Sequence, residues 1–288
     1  MFYQEMSVTS TVQAENAAAF FALHRTGCFV IPNAWDVPSA LICFDVGFAA
    51  VATTSVGVAF SQGLMDGEKI GRGSMLAVAG AIARRLPVPV TADLESGYGA
   101  TPDAVADTVR GAIAAGLVGC NLEDSDIATG KLLDVEHAAD RIRAAVEASS
   151  GAGLKDFVVN ARTDPFFVGQ EPKEAFPEAV TRANLYLSAG ARCAFVPGPG
   201  DVNTARALAK AIDGPLNLMA GGRERTASIA ELAGAGVRRV SLGGSLMGGA
   251  YGQIRSMLNS IKVTGGVGHL ADAGRELQML ARLLRSYP

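Results

Sequence analysis

Apolar runs of five or six residues recur along the chain, separated by longer segments that carry apolar side chains at helical spacing. The runs are Cys28 to Pro32 (CFVIP), Ala49 to Thr54 (AAVATT), Pro89 to Leu94 (PVTADL), Gly119 to Glu123 (GCNLE), Phe157 to Arg162 (FVVNAR), Cys193 to Pro197 (CAFVP), Pro215 to Met219 (PLNLM) and Arg239 to Gly243 (RVSLG). Runs of this kind suit strands covered on both faces, as in a parallel sheet. The segments between them carry helix punctuation. Thr101-Pro102 offers a cap with Pro at the first helical position. Asp134 can cap a helix running through about Ala148, and Ser228 with Glu231 has the capping-box spacing. Asp45-Val-Gly47, Ala115-Gly116, Ala189-Gly190 and Ala235-Gly236 offer the glycine that closes a helix in the left-handed region.

Eight strand-then-helix units predict a (β/α)8 TIM barrel. A doubly wound open sheet is the competitor. Its G-x-G-x-x-G does not follow the first strand, where Ile31-Pro-Asn-Ala-Trp-Asp36 stands instead. An extra helix from about Gln13 to Arg25 precedes the barrel. Beyond the eighth strand come a helix from about Ser245 to Ile261, a Gly-rich hinge at Thr264–Gly268, and an amphipathic helix near Ala271 to Leu284. The chain reads as one barrel domain over residues 1–288, with a C-terminal helical extension at 264–288 that packs on the barrel or is exchanged between subunits.

Composition narrows the function classes. The 288 residues are 49% hydrophobic and 18% charged, with a net charge of −3 and no basic block, which argues against a nucleic-acid partner. The uncharged run Val46 to Met65 is long enough to span a membrane. Its Gly, Ser, Thr and Gln content breaks it into helix end, strand and loop, so no membrane partner is expected. The N-terminus lacks a basic region followed by an apolar stretch, and the expected location is cytoplasmic. Cys28, Cys43, Cys120 and Cys193 show no metal-finger spacing. Three of them begin strands and read as inert core thiols.

In such barrels, chemistry sits at the C-terminal strand ends. Those exits hold Asn33, Trp35 and Asp36; Thr53, Thr54 and Ser55; Asp93 and Glu95; Asn121, Glu123 and Asp124; and Asn160 and Arg162. Strand alternation places Asp93 and Glu95 on one face. Paired acids there either face water or hold a hard divalent cation such as Mg²⁺. Arg162 either grips a substrate carboxylate or pairs with Asp164 or a barrel acid. Asp124 caps a helix or supports the site from behind. The Gly-rich exits Ala220–Gly222 and Gly243–Gly249 could cradle phosphate. None of His24, His137 and His269 sits at a strand exit, so an imidazole metal site has no ligands here.

Pro32–Ala40 (PNAWDVPSA), Thr53–Gly57 (TTSVG) with Asp66-Gly-Glu68, Ala92–Gly99 (ADLESGYG), Asn121–Asp124 (NLED) and Asn160–Asp164 (NARTD) resemble the isocitrate lyase/phosphoenolpyruvate mutase superfamily. The matches run in order over most of the barrel. The resemblance implies a Mg²⁺-dependent enzyme, with Mn²⁺ as a substitute, that makes or breaks C–C or P–C bonds beside an α-keto acid through a pyruvate enolate. It implies Asp93 as direct metal ligand, with Asp66, Glu95 and Glu123 holding metal-bound waters. Ser55 and Gly57 would bind the substrate carboxylate. Asn160 would also bind substrate, and Arg162 would hold a carboxylate or phosphonate. Asp66 and Arg162 count as catalytic. A homotetramer with exchanged C-terminal helices is implied as well.

The departures bear on the reaction. The lyases carry a Lys-Lys/Arg-Cys-Gly-His loop after the fourth strand; here Asp124 to Leu133 (DSDIATGKLL) has neither Cys nor His. The mutase's Lys-Thr-Asn gating segment is missing, and the sixth strand exits through Val196-Pro-Gly-Pro199. The expected reaction is therefore cleavage of an oxaloacetate-like or phosphonopyruvate-like keto acid. The alternatives are a phosphonomutase, a non-catalytic keto-acid-binding barrel, and an unrelated phosphate-binding isomerase.

Overall fold

The computed structural model describes residues 2–221 and 227–287, with side chains from residue 11 onward. Its strands are β1 (Phe29–Ile31), β2 (Asn33–Ala34), β3 (Val51–Thr53), β4 (Val90–Asp93), β5 (Gly119–Glu123), β6 (Ser125–Asp126), β7 (Lys131–Leu132), β8 (Val158–Arg162), β9 (Cys193–Phe195), β10 (Leu216–Met219) and β11 (Arg239–Ser241). All eight apolar runs hold a strand. The main sheet is parallel in the order β1-β11-β10-β9-β8-β5-β4-β3-β2. Pro32, which has no N–H to give, separates β1 within the first run from β2, which follows the run where only a strand exit was expected. β1 pairs with β11, and β2 pairs with β3. The result is a (β/α)8 barrel in which the first strand and its short continuation serve the two neighbours.

The helices are α1 (Phe2–Leu23), α2 (Val37–Asp45), α3 (Ser55–Ser61), α4 (Arg72–Arg85), α5 (Pro102–Ala114), α6 (Val135–Gly151), α7 (Pro172–Ser188), α8 (Val202–Ala211), α9 (Ile229–Gly234), α10 (Ser245–Thr264) and α11 (Ala273–Ser286). Asp134 accepts from the amides of Glu136 and His137, and Ser228 forms the capping box with Glu231. The closing glycines Gly47, Gly116, Gly190 and Gly236 all have positive φ. α1 begins well before Gln13. The run Val46 to Met65 is divided among the end of α2, β3 and α3, where only loop was expected after the strand. No described helix is long and apolar enough to cross a membrane.

α1 plugs the N-terminal end of the barrel. Phe20 is fully buried, with its ring edge-on to Phe29 at 6.3 Å. Gly119 makes room for it: a Cβ there would lie 2.8 Å from Val158 O and 3.0 Å from both Phe20 Cε1 and Thr91 Oγ1. The four cysteines are free thiols. Cys43, Cys120 and Cys193 are buried, whereas Cys28 is only half-buried and so is not the core thiol expected. Burial pushes the Cys193 thiol up to about 12, which keeps it unreactive.

At the other terminus α11 lies on α2. Leu283 is buried, the Tyr287 ring meets Phe44 edge-on at 5.2 Å, and Arg85 Nη1 donates to Tyr287 O at 2.7 Å. Leu258 and Val263 on α10 and Leu277 and Leu284 on α11 stay exposed.

Candidate active site

A cavity of about 560 Å³ opens at the C-terminal ends of the strands. Asp66, Asp93, Glu95, Glu123 and Arg162 all line it, as do Ser55, Asn121 and Asp164. The strand exits therefore bring most of the expected residues together. Asn160 and Gly57 do not line it. Asn160 is fully buried and reaches the site through Asn121, whose Oδ1 accepts from Asn160 Nδ2 at 2.7 Å. Gly57 is buried within α3; a Cβ there would strike Thr54 Cγ2 at 2.5 Å.

Asp93 and Glu95 meet the cavity by a different route from strand alternation. β4 stops at Asp93, and Glu95 lies beyond it at φ 51° in the left-handed region. Tyr98 (φ 58°) and Glu68 (φ 61°) share that conformation. Each such residue costs about 1–2 kcal/mol, and a set of mutual hydrogen bonds offsets the cost. Glu95 Oε2 accepts from Gly67 N at 2.8 Å and Glu68 N at 2.6 Å. Tyr98 Oη donates to Glu95 Oε1 at 3.1 Å, and Tyr98 N donates to Glu68 Oε1 at 2.7 Å. The Asp66-Gly-Glu68 loop is thus clasped onto the Glu-Ser-Gly-Tyr turn, and this clasp carries Asp66 to the cavity.

Asp93 is anchored differently. Its amide donates to Thr53 Oγ1 at 2.9 Å, and its Oδ2 accepts from Ser55 N at 3.1 Å. Its Oδ1 is buried with no hydrogen-bond partner. Burial, then the neighbouring acids, raise the proton affinities nearby. Asp66 is pushed up by burial and by Asp93, and Glu95 is pushed up to about 7 by burial and by Asp66. Burial also pushes Glu123 up, against the pull of Arg162.

Arg162 realises both of its local pairings. Its Nη1 meets Glu123 Oε2 at 2.8 Å, while Nε and Nη2 grip Asp164 at 2.7 and 2.8 Å. The guanidinium centre lies 4.9 Å from the Phe167 ring centroid and 5.8 Å from that of Phe195. Asp124 supports this arrangement from behind. It is buried and accepts from Thr163 Oγ1 at 2.7 Å, Asp164 N at 3.0 Å, Tyr186 Oη at 2.7 Å and Arg182 Nη1 at 3.3 Å. Arg182 and Tyr186 escaped the sequence reading. Their signal was a polar pair four residues apart on the face of α7 that buries Ala175, Ala179 and Ala183.

Among the described residues, no three His, Cys, Asp or Glu side chains are drawn together at metal-holding spacing. Glu123 Oε2 is turned to Arg162 and Glu95 Oε2 to backbone amides, while Asp93 Oδ1 is a buried carboxylate oxygen without a partner. The loop after β5 folds as the β6–β7 hairpin. Its Ser125 hydroxyl donates to Asp164 Oδ2 at 2.9 Å, and Asp126 accepts from Ala128 N and Thr129 Oγ1. Pro197 lines the cavity at the exit of β9, beside apolar Phe195 and Met219. No cysteine or histidine is among the described residues that line it. Of the Gly-rich exits, Gly243 and Gly244 reach the cavity; Gly222 lies outside the described residues.

Comparison with known proteins agrees with this geometry. The family model for phosphoenolpyruvate phosphomutase matches residues 20–262. An uncharacterised protein of Mycobacterium tuberculosis is 39% identical over 226 residues, covering 78% of this chain and 81% of its own. The structure of 2,3-dimethylmalate lyase, a PEP mutase/isocitrate lyase superfamily member, superposes with a TM-score of 0.81 at 30% identity, covering 95% of this chain and 94% of the lyase. The structure of oxaloacetate acetylhydrolase in complex with its product oxalate superposes with a TM-score of 0.82 at 26% identity, covering 93% of this chain and 94% of the hydrolase.

Proposed function

The chain belongs to the phosphoenolpyruvate mutase/isocitrate lyase superfamily, and we propose that it cleaves the C–C bond one carbon out from the carbonyl of a small, oxaloacetate-like α-keto acid with the help of Mg²⁺. The observation that carries this reading is the gathering of Asp66, Asp93, Glu95, Glu123 and Arg162 around one cavity at the strand exits. The donors suit a hard cation: all are carboxylate oxygens, and Asp93 presents a buried Oδ1 with no other partner. Asp93 would hold the ion directly, and Asp66, Glu95 and Glu123 would hold it through water. When bound, Mg²⁺ supplies Lewis-acid stabilisation of the negative charge that grows on the keto oxygen. Mn²⁺ has the same ligand preference and would substitute.

The chain's own groups do the rest. Arg162, whose guanidinium centre lies 4.9 Å from the Phe167 ring centroid and 5.8 Å from that of Phe195, keeps two N–H groups beyond its bonds to Glu123 and Asp164 for a substrate carboxylate. Ser55 gives its amide to Asp93 Oδ2 and its hydroxyl to Asp66. As the bond between C3 and its carboxylate breaks, carbon dioxide leaves and the electron pair of that bond passes into the enolate of pyruvate, which then takes up a proton. The cavity has no loop cysteine to protonate the far face of a larger carbanion. General acid–base help of that kind is worth about 10²–10⁴-fold, so isocitrate and methylisocitrate are poor substrates in this reading. The apolar patch left on α10 and α11 supports a homo-oligomer, a tetramer in the first instance.

The test is pyruvate release from oxaloacetate, substituted malates and phosphonopyruvate, each compared with the metal-only background. Asp93→Ala should remove turnover and, by calorimetry, Mg²⁺ binding, with the fold intact. Unchanged Mg²⁺ affinity in that variant refutes the assignment. Robust glyoxylate release from isocitrate would refute the reading of the loop after β5.

A further inference from the structure

The barrel lumen beneath the cavity holds a charge that the reaction above does not use. Arg239, the first residue of β11, is fully buried. Its Nη2 reaches Asn121 Oδ1 at 3.4 Å, and its guanidinium centre lies 5.6 Å from the Phe20 ring centroid. Nε and Nη1 have no partner, and the side chain makes no ion pair among the described residues. Burial draws its proton affinity down to about 10, opposed by Cys193, Asp93 and Cys120, so it stays charged at neutral pH. A buried cation without a counter-ion is costly, and a core built only for stability would have an apolar residue there.

The surroundings of Arg239 show where its charge acts. Asn121, its hydrogen-bond partner, lines the cavity and pairs in register with Asp93 on one side and Asn160 on the other. Asp93 Oδ1 and Asn160 Oδ1 are buried acceptors with no partner of their own. Arg162 is held toward Glu123 and Asp164 by three of its five N–H groups. We propose that Arg239 is a positioning residue: from the lumen it holds Asn121 and sets a fixed positive charge under Asp93. That charge lets the cavity acids gather, and it moderates how tightly they hold a cation. The inference rests on the reading of Asp93 as the cation's ligand.

Removing one unit of positive charge beneath the acids lowers the repulsion that a divalent ion meets there. Arg239→Gln and Arg239→Met should therefore bind Mg²⁺ at least about tenfold tighter by calorimetry. Arg239→Lys, which keeps the charge, should stay near the wild type. Oxalate in metal-free buffer gives the opposite sign and does not depend on the metal: its affinity should fall in the neutral variants and recover in Arg239→Lys. Folded neutral variants with wild-type affinity for both ions overturn the proposal. So does a failure of both to fold while Arg239→Lys folds, since the residue is then structural. If the wild type binds oxalate but not Mg²⁺, the metal reading of Asp93 falls and oxalate alone decides Arg239. If it binds neither, both fall.

Discussion

His24 should make this barrel lose stability in mild acid, and a single substitution should reverse the order of stability between variant and wild type. The imidazole is buried at the foot of the barrel, edge-on to Phe20 at 4.8 Å and to Phe29 at 4.9 Å. Nδ1 is 2.8 Å from Phe20 O, and Nε2 has no partner. Burial and then the Arg239 charge lower its pKa from 6.5 to about 3, although the bond to Phe20 pulls the other way. The folded state therefore binds the proton less readily than the unfolded chain. The contribution is fully present above pH 6.5 and is lost as pH falls toward 3. At pH 4.5 the unfolded imidazole is about two units below its pKa, which corresponds to about 2.7 kcal/mol. His24→Phe keeps a ring in the aromatic cluster and cannot titrate. At pH 7.5 it should be less stable than wild type by about 1 kcal/mol, the value of the lost hydrogen bond. At pH 4.5 it should be the more stable of the two. Urea unfolding at both pH values reads the difference directly. A gap between the two proteins that does not change from pH 7.5 to 4.5 refutes the reasoning.

Tyr186→Phe deletes a 2.7 Å hydrogen bond to the buried Asp124 carboxylate. It should cost about 1.5–3 kcal/mol in chemical denaturation and weaken oxalate binding by loosening the Asp124–Asp164–Arg162 chain; unchanged oxalate affinity would uncouple that chain from the site. Truncation after Val263 removes α11 with its exposed Leu277 and Leu284, and sedimentation should show a smaller or aggregated species. A truncated chain that keeps the full-length subunit count would mean that α11 does not hold the assembly together.

The barrel was legible because its evidence is local. Eight apolar runs, most of them followed by a helix with its own cap or closing glycine, need no knowledge of distant contacts. The acids of the site were legible for a related reason: polar residues at the end of an apolar strand have few destinations other than the barrel mouth. Glu95 lines the cavity by a route other than the expected one. Alternation assumes that the strand continues, and the left-handed turn at Glu95 and Tyr98 is stabilised by the amides of Gly67 and Glu68, nearly thirty residues away in the chain. Asn160 failed in the converse way. It does share a strand face with Arg162, but a closed barrel has depth as well as a face, and two residues lower on the strand Asn160 lies below the cavity floor.

Arg239 shows where sequence reasoning stops. An arginine beginning an apolar strand reads as a solvated strand end, and Arg238 beside it is half-buried, donating to Gly27 O at 3.0 Å near the surface. Which of the two turns inward depends on the pairing of β11 with both β1 and β10, where Arg239 stands opposite Phe29 and Asn217. A lumen position at the barrel foot would ordinarily take an aliphatic residue. A guanidinium is accommodated beside the Phe20 ring, where Asn121 gives it one acceptor. The acids above it repel one another, and the cation below it has no carboxylate in contact. Each is unfavourable alone, and at this range the field of one offsets the other. The polarity of the lumen and that of the cavity are therefore one electrostatic unit, and a substitution in either should be felt as a change of ion affinity in the other.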